Sequence, residues 1–216
     1  MEKRILCYGD SNTWGAIPLE DGRYPKHIRF TGVLQNELGR EYEIIEEGYN
    51  GRTTVFEDSI ENRLSGIRYF GPCCASQSPL DLIVLMLGTN DLKLQFGVNA
   101  GTIAFGLQRY LDVLDITAMA GPKPQLLLVS PILIDPSYRK HPLHYALFGE
   151  EGTGRSKELS HFYEAFARKA GIFFLDAALY GKASELDGLH MDPDSHAKLG
   201  KAIAGKIKEI LKQEVF

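Results

Sequence analysis

The sequence predicts an α/β fold, a three-layer α/β/α sandwich built around a five-stranded parallel sheet. Short apolar runs alternate five times with segments whose apolar residues recur at helical spacing, and this alternation is typical of βαβ units. The run at residues 81–87 is apolar at every position after the first, as expected for a central strand covered on both faces. Right-handed crossovers bring the carboxyl ends of parallel strands to one edge, so we expect the polar turns after the strands to meet there.

Each predicted strand ends at a polar or glycine-containing turn. The strands are predicted at residues 4–8, 42–46, 81–87, 125–129 and 172–175. Pro124 introduces the fourth strand, and the connection at 16–29 contains two prolines and cannot be helical throughout.

Five helices are predicted from apolar residues at helical spacing. They are placed at residues 30–39, 60–69, 100–120, 157–169 and 194–211. The first ends at Gly39, as glycine commonly ends a helix, and the third has Ile103 and Leu107 on one face. The segment at 132–154 shows the least regular pattern, and we expect it to be a lid, a pocket wall or a subunit interface.

Composition indicates one globular domain over residues 1–216. A net charge of −4 gives no support to nucleic-acid binding. No apolar run approaches the roughly 20 residues of a membrane-spanning helix, and the first residues lead directly into a strand, so we expect a cytoplasmic protein without a membrane partner. Three cysteines without a Cys-x-x-Cys pair indicate neither a disulfide framework nor a structural zinc site.

Ser11 follows the first strand in the stretch Gly-Asp-Ser-Asn-Thr-Trp-Gly at 9–15, and it has two interpretations. It is either a nucleophile at the carboxyl edge of the sheet or the N-cap of the next helix. A serine nucleophile needs a base, and histidine titrates near neutrality. His190 is the best candidate base, because Asp187 lies three residues before it and can orient the imidazole. Asp192 is the second candidate for that acid.

An acyl-transfer site also needs donors for the negative oxygen of the tetrahedral intermediate. The backbone N–H groups of Ser11 and Gly51 and the side-chain amide of Asn90 are candidates, because each follows a predicted strand. The alternative interpretation of Gly-Thr-Asn-Asp at 88–91 is a simple turn.

Other chemistry has less support. His190, Asp192, Asp194 and His196 have a spacing that could hold a metal ion, but the residues after Pro193 read as a helix start, and we expect no metal. No nucleotide-binding glycine motif is present, and we expect no cofactor. His141 and His144 are expected to be surface or interface residues.

Four short motifs, taken together, resemble the SGNH (GDSL) hydrolase family. Gly-Asp-Ser-Asn-Thr at 9–13, the glycine-bearing turn at 48–51, Gly-Thr-Asn-Asp at 88–91 and Asp-x-x-His at 187–190 are similar to its blocks I, II, III and V, in the same order. The resemblance is strongest to bacterial arylesterases and acyltransferases, and it implies the flavodoxin-like fold of that family.

The resemblance also implies roles for individual residues. Ser11 would be the nucleophile, His190 its base and Asp187 the orienting acid, with Ser11, Gly51 and Asn90 as oxyanion donors. We expect Asp10, Asn12 and Trp14 to contact the substrate. The chain departs from the family in having Asn12 where leucine is common, and Gly51 where this subgroup tends to have alanine. Members of the subgroup form homo-oligomers, so we expect self-association.

Three functions are consistent with these residues. The first is a serine esterase acting on small esters with short acyl groups, in which alcohols can compete with water for the acyl-enzyme. The second keeps the chemistry but changes the substrate, as in a carbohydrate acetylesterase, lysophospholipase or thioesterase. The third is a non-catalytic binding module, which the presence of every required residue type disfavours.

Overall fold

The computed structural model describes residues 2–62 and 65–212. Its centre is a five-stranded sheet in the order β2-β1-β3-β4-β5, and every pairing between neighbouring strands is parallel. The strands are β1 (Lys3–Gly9), β2 (Tyr42–Gly48), β3 (Leu82–Met86), β4 (Gln125–Ser130) and β5 (Phe173–Asp176). The five predicted strands are therefore confirmed, with bounds that differ by one or two residues.

Helices cover both faces of this sheet. In the described residues they are α1 (Ser11–Trp14), α2 (Phe30–Leu38), α3 (Gly66–Gln77), α4 (Ala100–Gly106), α5 (Gln108–Ile116), α6 (Pro142–Phe148), α7 (Gly152–Ala170) and α8 (Pro193–Lys212). None of the helices described is both long enough and apolar enough to cross a membrane.

The core has two halves because successive strand residues point to opposite faces. In β1, Ile5 and Cys7 pack on the side of α2 and α8, whereas Leu6 and Tyr8 pack on the side of α3, α4, α5 and α7. All four side chains are fully buried, and burying a side chain such as Ile5 or Leu6 contributes roughly 1.5–3 kcal/mol. The result is the predicted three-layer α/β/α sandwich.

The predicted helix at 60–69 is largely wrong. Asp58 Oδ1 accepts hydrogen bonds from the N–H groups of Ile60 (3.1 Å) and Glu61 (3.0 Å), so this stretch turns instead of winding into a helix. Residues 63 and 64 lie outside the described residues. The helix present is α3, which continues through Pro72 because Phe70, Cys73 and Cys74 are buried against the sheet.

The predicted helix at 100–120 is two helices, α4 and α5. The helical hydrogen bonding is interrupted at Leu107, between the end of α4 at Gly106 and the start of α5 at Gln108, and α5 ends at Ile116, before the predicted end. The segment at 132–154 is more regular than expected, because α6 starts at Pro142 and is followed by Gly149 with a φ of 61°. Proline at the first turn and glycine after the last are common helix boundaries.

Candidate active site

The turn after β1 holds Ser11 at the start of a single helical turn, α1. Asp10 is the cap of that turn: its Oδ1 accepts a hydrogen bond from the N–H of Asn12 at 3.0 Å. The interpretation of Ser11 as the N-cap is therefore wrong. Close packing requires Gly9, since a Cβ atom there would lie 2.0 Å from Thr13 Oγ1 and 2.7 Å from the Met86 carbonyl oxygen. This tight turn leaves the Ser11 side chain partly exposed.

Ser11, His190 and Asp187 form a continuous hydrogen-bonded chain. His190 Nε2 lies 3.0 Å from Ser11 Oγ, and His190 Nδ1 lies 2.6 Å from Asp187 Oδ2. The other oxygen of Asp187 accepts from the backbone N–H groups of Leu189 (2.9 Å) and His190 (3.0 Å). The fold brings together a serine and a histidine that are 179 positions apart.

The hydrogen bonds around Asp187 favour the ionised form of its carboxyl group. Burial acts to raise the pKa of Asp187, but its hydrogen bonds with the His190 ring and with two backbone N–H groups outweigh that effect. The pKa of Asp187 therefore lies below its usual value. An ionised Asp187 fixes the proton on His190 Nδ1 and leaves Nε2 free to accept the proton of the serine hydroxyl.

Asn12 ties the loop that carries His190 to α1. Its Nδ2 donates to the Leu189 carbonyl oxygen at 3.1 Å, and its Oδ1 accepts from the N–H of Met191 at 2.9 Å. These two groups flank His190 on either side, and the Asn12 side chain is buried. The residue that departs from the usual leucine of the family therefore holds the backbone on both sides of His190, the candidate base.

Replacing Asn12 with leucine is expected to lower kcat by about ten- to a hundredfold with little change in KM, because small displacements of a catalytic group cost rate rather than ground-state binding. Steady-state hydrolysis of p-nitrophenyl acetate would measure both constants. The matched control is Asn99→Leu, since Asn99 is an exposed residue whose side chain caps α4 by accepting from the N–H of Thr102. An unchanged kcat in Asn12→Leu would contradict this role.

The strand order places two further turns beside Ser11. Because β2 and β3 flank β1, the turns that follow them hold Gly51 and Asn90 on either side of it, and all three residues line one cavity. Gly51 has a φ of 77°, a left-handed conformation that favours glycine over alanine. One hydrogen of the Asn90 amide goes to the Arg52 carbonyl oxygen at 3.1 Å, which leaves the second for a ligand.

Two residues that the sequence analysis did not consider hold these turns together. Arg52 is buried, donates from Nη1 to the Gly9 carbonyl oxygen at 2.9 Å, and its guanidinium lies 4.2 Å from the centre of the Tyr8 ring. Asp91 is fully buried and accepts from the N–H and the hydroxyl of Thr54. In the sequence, Arg52 and Asp91 are charged residues in polar turns, where charged side chains are usually exposed to solvent. The sequence pattern alone therefore could not show that they are buried.

The cavity beside Ser11 has a volume of about 770 Å³, within the usual range for small-molecule sites. Leu143, Leu147 and Phe148 of α6 form an apolar part of its lining. Carboxylates of Glu20 and Asp21 line another part. Lys93 also lines it, but this buried ammonium lies 3.4 Å from Asp58 Oδ2 and 2.5 Å from Glu61 Oε1, so its charge is compensated.

Three predicted locations need correction. Asp10 and Asn12 are buried and use their side chains within the protein, so neither contacts the cavity as expected of a substrate-binding residue. Trp14 ends α1 with its ring beside the guanidinium of Arg23, 5.2 Å away, and it is not part of the cavity lining in the described residues. His144, expected at the surface or an interface, is half-buried and lines the cavity.

The four residues with metal-like spacing have separate partners. Asp192 accepts from the N–H of Ser195 at 2.7 Å and so caps α8, whereas the carboxylate that contacts His190 Nδ1 is that of Asp187. Asp194 is exposed and pairs with Lys198 at 2.6 Å, and His196 is buried against Phe30. Within residues 2–62 and 65–212, no three His, Cys, Asp or Glu side chains are grouped to hold a metal ion.

Burial of His196 has a consequence for acid stability. Its Nδ1 accepts from the N–H of Phe30 at 3.2 Å, and burial lowers its pKa from 6.5 to about 4. As the pH falls below 6.5, the unfolded chain binds a proton that the folded chain refuses until about pH 4, so stability is lost across this window. Asp10 and Asp91 act in the opposite direction, since burial raises the pKa of each to about 6.

The His196 contribution is therefore tested as a difference between variants. Between pH 7 and pH 5 the wild type is expected to lose about 2 kcal/mol more unfolding free energy than His196→Asn. The asparagine keeps an acceptor for the N–H of Phe30. Urea unfolding at the two pH values measures this difference. Asp10 and Asp91 are present in both proteins, so their contributions cancel in the comparison. His161→Asn, at an exposed position on α7, is the control. Equal pH slopes in wild type and His196→Asn would contradict the prediction.

Comparisons with known proteins agree with this geometry. Residues 7–198 match the model of the GDSL-like lipase/acylhydrolase family. The inhibitor-bound aryl esterase of M. smegmatis is 37% identical with a TM-score of 0.90, over 96% of this chain and 99% of that chain. Est24, a carbohydrate acetylesterase from Sinorhizobium meliloti, is 36% identical with a TM-score of 0.91, over 97% and 100%. A carbohydrate acetylesterase family member from the same organism is 30% identical with a TM-score of 0.90, over 97% and 99%. A search of curated proteins gave no match.

These similarities cover nearly the whole chain. The sheet order and the two helical layers are those of solved SGNH hydrolases, and the similar proteins described above are an aryl esterase, a carbohydrate acetylesterase and a member of a carbohydrate acetylesterase family. The protein is a carboxylic ester hydrolase, and the chain belongs to the GDSL-like lipase/acylhydrolase family.

Proposed function

We propose that this chain is a serine esterase that hydrolyses small esters with short acyl groups through an acyl-enzyme on Ser11. The observation that carries the proposal is the 3.0 Å distance between Ser11 Oγ and His190 Nε2, with His190 Nδ1 held by Asp187. A hydroxyl with a base at this distance, and a base with an orienting carboxylate, is the arrangement that nucleophilic catalysis requires.

The reaction has two steps that mirror each other. His190 Nε2 takes the Ser11 proton as Oγ attacks the ester carbonyl carbon, and it then gives that proton to the leaving alcohol as the carbon–oxygen bond breaks. A water molecule, or a second alcohol, next gives its proton to His190 and attacks the acyl-enzyme. Breaking the bond to Oγ returns the proton to Ser11 and releases the carboxylic acid or a new ester.

The oxyanion formed in each step is assigned to three donors: the N–H groups of Ser11 and Gly51 and the free amide hydrogen of Asn90. Fixed donors of this kind are usually worth about 10²–10³ in turnover each. A preference for short acyl groups is supported by the similarity to proteins named aryl esterase and carbohydrate acetylesterase. Transfer to alcohols is supported by the apolar side chains of α6 that line the cavity, since they favour an alcohol over water.

Covalent labelling tests the proposal directly. Diethyl p-nitrophenyl phosphate should release one p-nitrophenol per chain, abolish ester hydrolysis and leave its phosphoryl group on the peptide that contains Ser11, as located by mass spectrometry. Hydrolysis of p-nitrophenyl acetate, butyrate and octanoate should fall steeply with chain length. Ester hydrolysis without a label on Ser11 would contradict the acyl-enzyme, and a rate that rises with chain length would favour a thioesterase or lysophospholipase.

No cofactor takes part in the proposed reaction. Self-association and a cytoplasmic location stay predictions from the sequence.

A further inference from the structure

Helix α6 forms one wall of the cavity and is fixed to the loop that carries Asp187 and His190. His144 Nδ1 lies 3.2 Å from the Asp187 carbonyl oxygen, and His141 Nε2 contacts the Leu186 carbonyl oxygen. Leu143, Leu147 and Phe148 of the same helix also line the cavity. The segment at 132–154 was expected to be a lid, a pocket wall or a subunit interface. Its helix α6 forms a wall of the cavity.

The contact with Asp187 determines which nitrogen of His144 carries the proton. A carbonyl oxygen only accepts, so the hydrogen must be on Nδ1, and the neutral ring has an unprotonated Nε2 with a lone pair. Burial lowers the pKa of His144 despite the neighbouring Asp187, so the ring is neutral near pH 7. In the described part of the chain only Nδ1 of this ring is hydrogen-bonded, and the half-buried residue lines the cavity.

The positions of the base and of the oxyanion donors place α6 next to the alcohol part of a bound ester. The leaving oxygen receives its proton from His190 Nε2 and must lie next to that atom. The carbonyl oxygen instead points to the opposite group of donors at Ser11, Gly51 and Asn90. Because α6 contacts the Asp187–His190 loop, its side chains are next to the alcohol part of the substrate, or to the acceptor alcohol that replaces it.

We propose that His144 Nε2 accepts a hydrogen bond from a free hydroxyl on the alcohol part, so that the enzyme prefers esters of polyols, such as partly acetylated glycerol or sugars, over esters of simple alcohols. The apolar side chains of α6 pack against the carbon skeleton of such an alcohol. The carboxylates of Glu20 and Asp21, which also line the cavity, add acceptors that a polyol satisfies and that repel an anionic ester. This inference rests on the proposed esterase function.

Two acetates of matched size test it: glycerol 1-acetate and n-propyl acetate, which share the acyl group and a three-carbon alcohol. The wild type should prefer glycerol 1-acetate. His144→Leu should lower the ratio of kcat/KM for glycerol 1-acetate to kcat/KM for n-propyl acetate by about five- to tenfold, as expected for loss of one neutral hydrogen bond. His141→Leu, which alters the neighbouring histidine on the same loop contact, should keep the preference.

Each outcome has a separate meaning. A parallel fall for both esters in His144→Leu would overturn the inference, because it would mean that His144 only holds the Asp187 loop. No fall for either ester, or a wild type that prefers n-propyl acetate, would overturn it as well. Failure of the wild type to hydrolyse n-propyl acetate, together with no phosphoryl label on Ser11, would instead remove the esterase proposal on which this one rests.

Discussion

Ser11→Ala is expected to lower kcat for p-nitrophenyl acetate by about 10⁴- to 10⁶-fold, the range found when a nucleophile of this type is removed. The alanine cannot form the acyl-enzyme, whereas the oxyanion donors and the cavity are unchanged. The folded structure should be unaffected, because Ser11 Oγ makes one described hydrogen bond, to the ring of His190. Stopped assays over hours, with enzyme at micromolar concentration, would measure the remaining rate.

The control for this variant is Ser76→Ala, at an exposed position on α3. It should retain full activity, and both variants should match the wild type in circular dichroism and melting temperature. Turnover within tenfold of the wild type in Ser11→Ala would show that another group starts the reaction. His190 would then be the next candidate to test as the base for an attacking water.

Ser11, Asp187 and His190 could be identified from the sequence because each follows a strand of a parallel sheet or belongs to the last loop, and topology gathers those positions at one edge. Asn12 could not be assigned its role in the same way. Its neighbours, Leu189 and Met191, contact it through backbone atoms, and backbone contacts leave no trace in residue type. For this reason Asn12, a polar residue next to the candidate nucleophile, was predicted to contact the substrate, whereas its side chain contacts the backbone of the protein.

The helical errors have a related physical origin. The stretch at 60–69 has apolar residues at plausible spacing, but Asp58 captures two backbone N–H groups and makes a turn, a local competition that periodicity does not register. Pro72 argues against a helix by propensity, yet α3 passes through it because its neighbours Phe70 and Cys73 are buried in the core. Tertiary burial outweighs local preference in this case.

The place of His144 in the cavity wall could not be predicted from the sequence, for a different reason. A histidine in an irregular, aromatic-rich segment is usually exposed, and only the formation of α6 and its contact with the Asp187 carbonyl oxygen bring it to the cavity. That contact depends on the path of a loop more than forty residues away in sequence. Sequence spacing carries no information about such a meeting, whereas the Asp187–His190 pair is local and could be predicted.

Asp187→Asn is the second substitution with a large expected effect, a fall in kcat of about 10⁴-fold, the size seen when the orienting aspartate of a serine protease is made asparagine. Asp187 has both oxygens in use: Oδ2 faces His190 Nδ1, and Oδ1 accepts from the N–H groups of Leu189 and His190. An asparagine side chain at this position has one oxygen for three donors. Keeping that oxygen on the backbone N–H groups turns the NH₂ group toward His190.

That orientation changes the tautomer of the base. An NH₂ group beside Nδ1 donates to it, so the proton of the neutral imidazole moves to Nε2. Nε2 then carries a hydrogen that faces Ser11 Oγ, and it can no longer accept the serine proton. Asp192→Asn is the matched control, since its side-chain oxygen can still accept from the N–H of Ser195 and cap α8; Asn and Asp cap helices about equally well, so we expect little change in stability or in kcat. Steady-state kinetics and urea unfolding of both variants separate these effects. If Asp192→Asn lost more activity than Asp187→Asn, the acid that orients His190 would have to be reassigned.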